Sequence, residues 1–198
     1  MPTTYTIIAY WSWFALLLAW LPGYFTGKRT LRRPNPVRRT IANILLIIGY
    51  MFLFSYSGFA SASVGGSLSI LRIQITPQTA AFGVIGLVIV LVGISFAIWA
   101  RIVLGSNWSN AIVLKENHEL VRQGPYSIVR HPIYTGMTFA SLGTALTIGR
   151  LTDYIGVILI IAAFLIRIQD EDALMAQEFP ETHPIYREQT KKLIPFIW

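Results

Sequence analysis

"TAAFGVIGLVIVLVGISFAIWA", residues 79–100, runs from end to end without a charged side chain. A helix that crosses a bilayer core needs about 20 mostly apolar residues, and this stretch supplies them. Pro77, just ahead of it, is a helix-start signal. The stretch therefore reads as a transmembrane helix, and the composition around it agrees. Of 198 residues, 54% are hydrophobic and 13% are charged, about half the ~25% charge that a soluble domain carries. Most of the surface is expected to face lipid rather than water.

Outward from that span, residues 5–26 and 40–71 are also uncharged. The first of these has neither a basic leader nor a small-residue cleavage site before it, so it is expected to be a retained span, not a signal peptide. The second opens apolar at "IANILLIIGYMFLFSY" and turns small and polar at "SGFASASVGGSLS". It reads as a span followed by an exposed loop. Two shorter apolar runs, residues 133–148 and 154–166, are separated only by "GRLTD" and suggest an antiparallel helical hairpin. An apolar run as short as the last is often a core or re-entrant helix. Charge placement favours a span. The connection "GKRTLRRPNPVRRT" holds six Lys or Arg and belongs in the cytoplasm by the positive-inside rule. With five spans, the segment 101–131 and the C-terminal tail fall on the same side, leaving only Arg72 and Arg150 of the sixteen basic residues outside. The expectation is an all-α integral membrane protein of about five transmembrane helices, N-terminus outside, C-terminus and active site cytoplasmic. The net charge of +7 then follows from topology and attraction to anionic lipid headgroups, with no nucleic-acid partner required. The absence of cysteine excludes disulfides and thiolate metal sites.

Polar chemistry gathers at the cytoplasmic ends. "RQGPYSIVRHPIYTG", residues 122–136, sets two arginines, a histidine and two tyrosines before an apolar run. Pro132 suits the first turn of a helix whose free backbone donors face the preceding loop, and such a terminus attracts anions. His131 and Tyr134, three apart, share a helical face. Each alone would be an ordinary interfacial anchor; the set asks for more. A second cluster, "IRIQDEDALMAQEF", carries Arg167 and Glu171 one turn apart, flanked by Asp170 and Asp172. Arg167 lies within apolar sequence, where an ionisable group is costly unless paired and marks function by default. The plain alternative is an arginine at a helix end snorkelling outward and paired with Glu171. Beyond it, "ALMAQEFPETHPIYREQTKKLIPFIW" reads as a short amphipathic helix, a break from Pro180 to Pro184, and a basic stretch with an aromatic end that lies along the cytoplasmic face. Between the clusters, "AIVLKENHELV" suits a short strand or packed turn.

Together "LGSNWS", "HELVRQGPYSIVRHPIYTG", Arg167 with "DEDALM", and "EFPETHPIYRE" resemble the isoprenylcysteine carboxyl methyltransferase family and its phospholipid N-methyltransferase relatives, over residues 101–196. The resemblance implies an integral-membrane methyltransferase that uses S-adenosylmethionine, held in a cytoplasmic pocket of the 101–131 loop, the last hairpin and the tail. Carried over by motif, the cofactor-binding residues are His118, Glu119, Leu120 and Val121, then Tyr126, then His131, Pro132, Ile133 and Tyr134, and finally Glu171. The substrate-side, catalytic arginine is Arg167. Two motifs depart from the family: the usual glutamate run is "QDEDA" here, and "FGEEY" is "FPETHPIY". The implied acceptor is a lipophilic carboxylate such as that of an isoprenylcysteine, and the implied partners are the bilayer and that acceptor, with no metal. In-line methyl transfer to a carboxylate needs neither metal nor base, so catalysis rests on positioning and water exclusion. Residues 1–100 are then three N-terminal helices with the basic loop 27–40. Residues 101–198 form the catalytic region with the hairpin 132–170, the two parts making one integrated domain. Two other chemistries remain open: N-methylation of a lipophilic amine, which wants a nearby carboxylate as base, and a sterol-type reductase using NADPH.

Overall fold

The computed structural model describes residues 3–25, 30–32, 35–54, 70, 73–105, 114–115, 120–195 and 197. Six helices dominate: α1 (Thr4–Phe25), α2 (Pro36–Leu53), α3 (Ala80–Leu104), α4 (Pro132–Ile148), α5 (Leu151–Glu178) and α6 (Thr182–Gln189). Their starts follow from local chemistry. The Asn35 side chain accepts from the Val37 N–H ahead of α2, with Pro36 at the first helical position, and Thr79 caps α3 through the Phe82 N–H. Both arrangements satisfy donors that a helix leaves unpaired at its N-terminus. A short antiparallel pair, β1 (Thr30–Arg32) with β2 (Leu114–Lys115), ties the basic connection to the segment after α3. The small, polar stretch 57–69, expected as an exposed loop, lies outside the described residues.

The helices pair through small residues. At Gly93 on α3, an added Cβ would stand 2.6 Å from the Ala140 nitrogen and the Gly136 oxygen of α4. At Gly156 on α5, it would stand 2.6 Å from the Gly49 oxygen of α2. In lipid, helices associate by close packing rather than by escaping water, so such backbone approaches hold the bundle. α1 completes it with Ala9, Trp13 and Leu16 turned inward. Trp13 stacks edge-on against Tyr50 and Phe54, and its indole N–H donates to Thr144 Oγ1 at 2.9 Å. The outer faces carry exposed Trp11, Leu17, Ile47, Met51, Val88, Val92 and Ile158. That much contiguous apolar surface is stable only against lipid.

Among the described residues, four helices, α1, α2, α3 and α5, are long and apolar enough to cross a membrane. The fifth member of the expected set, α4, has 17 residues and spans only about 25 Å at 1.5 Å per residue. The hairpin itself forms: Gly149 takes the left-handed conformation at φ 82° after α4, and α5 starts two residues later. Its turn is closed by Arg150, whose guanidinium grips the fully buried Asp153 through two hydrogen bonds of 2.9 and 3.1 Å.

One expectation is corrected here. The apolar run 154–166 does not end the helix, and "ALMAQE" is not a separate amphipathic helix, because α5 continues unbroken for 28 residues to Glu178. No proline or glycine interrupts it between Gly156 and Pro180, and acidic residues do not break a helix. At about 42 Å long it exceeds a ~30 Å hydrocarbon core. Its last turns, with Asp170 to Asp172, therefore reach the interface. Pro184 also falls inside α6, within its first turn, and not in the break, which narrows to Phe179 to Glu181.

Candidate functional site

The site forms where α5 leaves the apolar layer and α4 enters it. His131 is the N-cap of α4, with Pro132 after it, and its ring is nearly enclosed, 8% exposed. Its Nε2 lies 3.0 Å from Asp172 Oδ1 and its Nδ1 lies 3.3 Å from Glu171 Oε2. A neutral imidazole has a single N–H, so only the imidazolium donates to both carboxylates at once. Burial opposes that charge, yet hydrogen bonds and attraction from Asp172 and Glu171 outweigh it, and the His131 pKa stands above its ordinary value. One turn along α4, the Tyr134 hydroxyl donates to Glu171 Oε1. Tyr134 also stacks on Phe164 of α5 with ring centres 4.8 Å apart. Glu171 thus has each oxygen engaged by a different residue of α4's first turn.

Asp172 is the hub on the tail side. Besides His131, it faces Arg130 Nε and His183 Nε2, each at 3.9 Å. His183, almost wholly buried, has its pKa lowered by burial and by the cations Arg187, Arg130 and His131, against the pull of Asp172. The tail crosses the α4 N-terminus as a strap. Backbone bonds run from the Arg130 N–H to the Lys191 carbonyl at 2.8 Å and from the His131 N–H to the Lys192 carbonyl at 3.2 Å. Thr135 Oγ1 donates to the Leu193 carbonyl at 2.7 Å, and the Arg130 guanidinium donates to the carbonyls of Arg187 and Thr190. Tyr186 closes the other edge, its hydroxyl donating at 2.6 Å to the carbonyl of Tyr126. Burial pushes the Tyr186 phenol up to about 12.

Arg167 does not pair with Glu171. Among the described residues it donates through Nη2 to Asn43 Oδ1 on α2 at 2.7 Å, and its guanidinium interacts with the Tyr134 hydroxyl. The snorkelling ion pair that spacing alone allows is absent because His131 and Tyr134 occupy the glutamate. Next to it on α2, Arg38 binds Asp170 Oδ1 at 2.9 Å and Gln169 Oε1 at 2.7 Å.

Of the residues singled out by sequence, the structure brings together Tyr126, His131, Pro132, Tyr134, Arg167 and Glu171. Pro132 and Tyr126 are buried, and Ile133 is half-buried in the same turn. Tyr126 stands close enough to Glu171 for the two to repel when both are charged. Leu120 and Val121, half-buried, lead into the 3-10 turn Gly124–Ser127 that carries Tyr126. His118 and Glu119 lie outside the described residues. Sequence reading did not single out Asp172 as the hub, nor His183, Arg38 or Asn43. His183 and Tyr186 sit in the departing "THPIY" motif, which was a usable signal; Arg38 was read only as one charge of the basic loop 27–40, and Asn43, in a generic span, gave none.

Comparison with known proteins gives this site a context. Residues 84–177 match the profile of the Isoprenylcysteine carboxyl methyltransferase (ICMT) family. This part of the chain is similar to that family. It spans most of α3, the site loop, α4 and nearly all of α5. Two methyltransferases are similar over half of the chain or more. The protein-S-isoprenylcysteine O-methyltransferase of Xenopus laevis is 34% identical over 124 residues, 61% of this chain and 43% of that protein. The corresponding enzyme of Schizosaccharomyces pombe is 32% identical over 101 residues, 50% of this chain and 43% of that protein. The chain thus spans under half the length of these relatives. In fold it resembles the eukaryotic intramembrane Ras methyltransferase ICMT, with a TM-score of 0.52 at 22% identity, covering 78% of this chain and 52% of that one. The ICMT match, the helical architecture and the apolar spans together identify an integral membrane protein. α1, α2 and α6 lie outside the matched segment, so Asn43, Arg38 and His183 fall outside the part that the profile covers.

Proposed function

We propose that the protein is an integral-membrane methyltransferase that moves a methyl group from S-adenosylmethionine to a lipophilic carboxylate of the isoprenylcysteine type. One observation carries this reading: Glu171, clasped by His131 and Tyr134 at the aqueous end of α5, stands one turn above Arg167, which stays at lipid depth. A cofactor with an ammonium, a diol and an adenine needs carboxylate acceptors and aromatic or apolar walls. Glu171, Tyr126, Tyr134 and Pro132 offer both. An orphaned atom supports the fit: Asp170 Oδ2 is buried with no hydrogen-bond partner among the described residues, and an ammonium or hydroxyl donor would satisfy it.

When bound, S-adenosylmethionine supplies an electrophilic methyl on a sulfonium. The chain's own residues do the rest. Glu171 and Tyr134 hold the polar end of the cofactor, with His118, Glu119, Leu120, Val121, Tyr126, His131, Pro132 and Ile133 completing its enclosure. The strap from α6 excludes water. Arg167 holds the acceptor carboxylate and turns it toward the methyl; a planar guanidinium grips a carboxylate with two donors. A carboxylate nucleophile needs no proton removed, so the site requires no general base.

In this reading the N-terminus lies outside, and the C-terminus and site lie in the cytoplasm. Residues 1–100 form the lipid-facing N-terminal part and residues 101–198 the catalytic part of one integrated domain. The test is calorimetry of the purified protein with S-adenosylmethionine, its demethylated product and NADPH, followed by transfer of labelled methyl to farnesylated cysteine and to a long-chain amine. Binding of the first two ligands and labelling of the carboxylate are expected. Preference for NADPH would assign a reductase, and labelling of the amine alone would assign an N-methyltransferase.

A further inference from the structure

Arg167 distributes its donors unequally. One Nη2 hydrogen is held by Asn43 Oδ1 at 2.7 Å, whereas Nε is shut off from solvent and makes no hydrogen bond among the described residues. A buried guanidinium N–H without an acceptor is costly, and at this depth no bulk water relieves it. The edge formed by Nε and the neighbouring Nη is the two-donor edge that matches a carboxylate. Asn43 is neutral. It fixes the plane of the guanidinium while leaving the positive charge uncompensated, which an aspartate there would not do. Arg38, one turn earlier on α2, clamps the following turn of α5 through Asp170 and Gln169, so α2 and α5 cannot slip and carry Asn43 out of register.

We infer that Asn43 is a positioning residue for the reaction: it orients Arg167 so that the Nε edge receives the acceptor's carboxylate, and its neutrality makes the site select an anionic acceptor. The inference rests on the carboxylate reading of the preceding subsection. α2 lies outside the segment that the family profile matches.

The experiment uses the full chain in lipid nanodiscs with S-adenosylmethionine. The probes are N-acetyl-S-farnesylcysteine and its carboxamide, which keeps the tail and removes the charge. Wild-type protein should bind the carboxylate about tenfold more tightly than the carboxamide, the scale set by one charged hydrogen-bonded contact. Asn43→Asp should abolish that preference, because the new carboxylate occupies the guanidinium. Asn43→Leu should raise the acceptor KM about tenfold with cofactor Kd unchanged, and Asn43→Gln, which keeps an amide oxygen, should recover part of the loss. Unchanged KM and unchanged preference in Asn43→Asp and Asn43→Leu would overturn the inference while leaving the methyltransferase reading intact. So would a parallel fall of Tm, cofactor affinity and turnover in all three variants, since that pattern marks a merely structural contact. A wild-type protein with no preference for the carboxylate would overturn the inference together with the carboxylate reading.

Discussion

Glu171 and Arg167 sit one turn apart on α5, with His131 of α4 against the glutamate, yet the three answer to different demands. If Glu171 meets the cofactor and Arg167 the acceptor, Glu171→Gln should weaken S-adenosylmethionine binding by calorimetry. Arg167→Leu should leave that binding nearly intact and depress turnover. Arg167→Lys should be impaired as well, because a point charge cannot reproduce a planar two-donor grip. Equal loss of Tm in both sites' variants, with normal activity in the folded fraction, would reduce the two residues to structural roles. His131 makes a separate prediction about pH. Its folded pKa is raised, so its charge contributes stability that is fully present below the unfolded value of about 6.5 and fades as pH rises through the raised one. The Tm advantage of wild type over His131→Gln in detergent should therefore shrink with rising pH; His183, with a lowered pKa, pulls the other way. An advantage that grows with pH would contradict the assigned charge. Asp172→Asn should be the most damaging change here, lowering stability by about 3 kcal/mol, because it takes the counter-charge from Arg130 and leaves His131 with Glu171 alone.

At the scale of elements, the spans were readable because lipid demands uncharged runs of fixed length, and residues 79–100 satisfied that demand on their own. The continuity of α5 was not readable. A change from apolar to acidic composition looks like an element boundary, but helix propensity ignores burial, and the boundary here belongs to the membrane, not to the backbone. The same logic explains which site residues could be seen. His131, Tyr134 and Glu171 are framed by local motifs. Asn43 and Arg38 depend on which helix α5 packs against, and that is decided by glycine contacts far along the chain. Those contacts are themselves testable. Gly93→Val should destabilise the bundle by about 1–3 kcal/mol, the range for overpacking, since its side chain meets the α4 backbone. Gly105 takes φ 55°, and an added Cβ there meets nothing within 4 Å. Gly105→Ala is therefore expected to lose only the smaller amount due to backbone strain, and chemical denaturation of both variants separates the two costs.

For the whole molecule, orientation follows from charge and parity. The six basic residues from Lys28 to Arg39, four between α1 and α2 and two in the first turn of α2, resist translocation, so reporter fusions should place the N-terminus outside and the C-terminus in the cytoplasm. Both termini on the cytoplasmic side would mean that α4, the shortest of the long helices, fails to cross. α4 can be short without penalty where its N-terminus is roofed by the tail strap, whose backbone bonds satisfy donors that would otherwise face lipid.

The unbroken helix from Leu151 to Glu178 also sets a depth. Arg167 and Glu171 are four residues apart on one rigid rod, about 6 Å along its axis, with no hinge between them. If Arg167 holds the acceptor and Glu171 the cofactor, the protein measures how far an acceptor's head rises toward the aqueous boundary, while its tail is left to run sideways into the bilayer. Selection by head depth is strict and selection by tail length is loose: lengthening a farnesyl to a geranylgeranyl chain should alter KM little, whereas one extra methylene between thioether and carboxylate should cost turnover heavily. An alanine inserted between Ile168 and Gln169 would turn the upper half of the rod by about 100° and uncouple the two ends altogether.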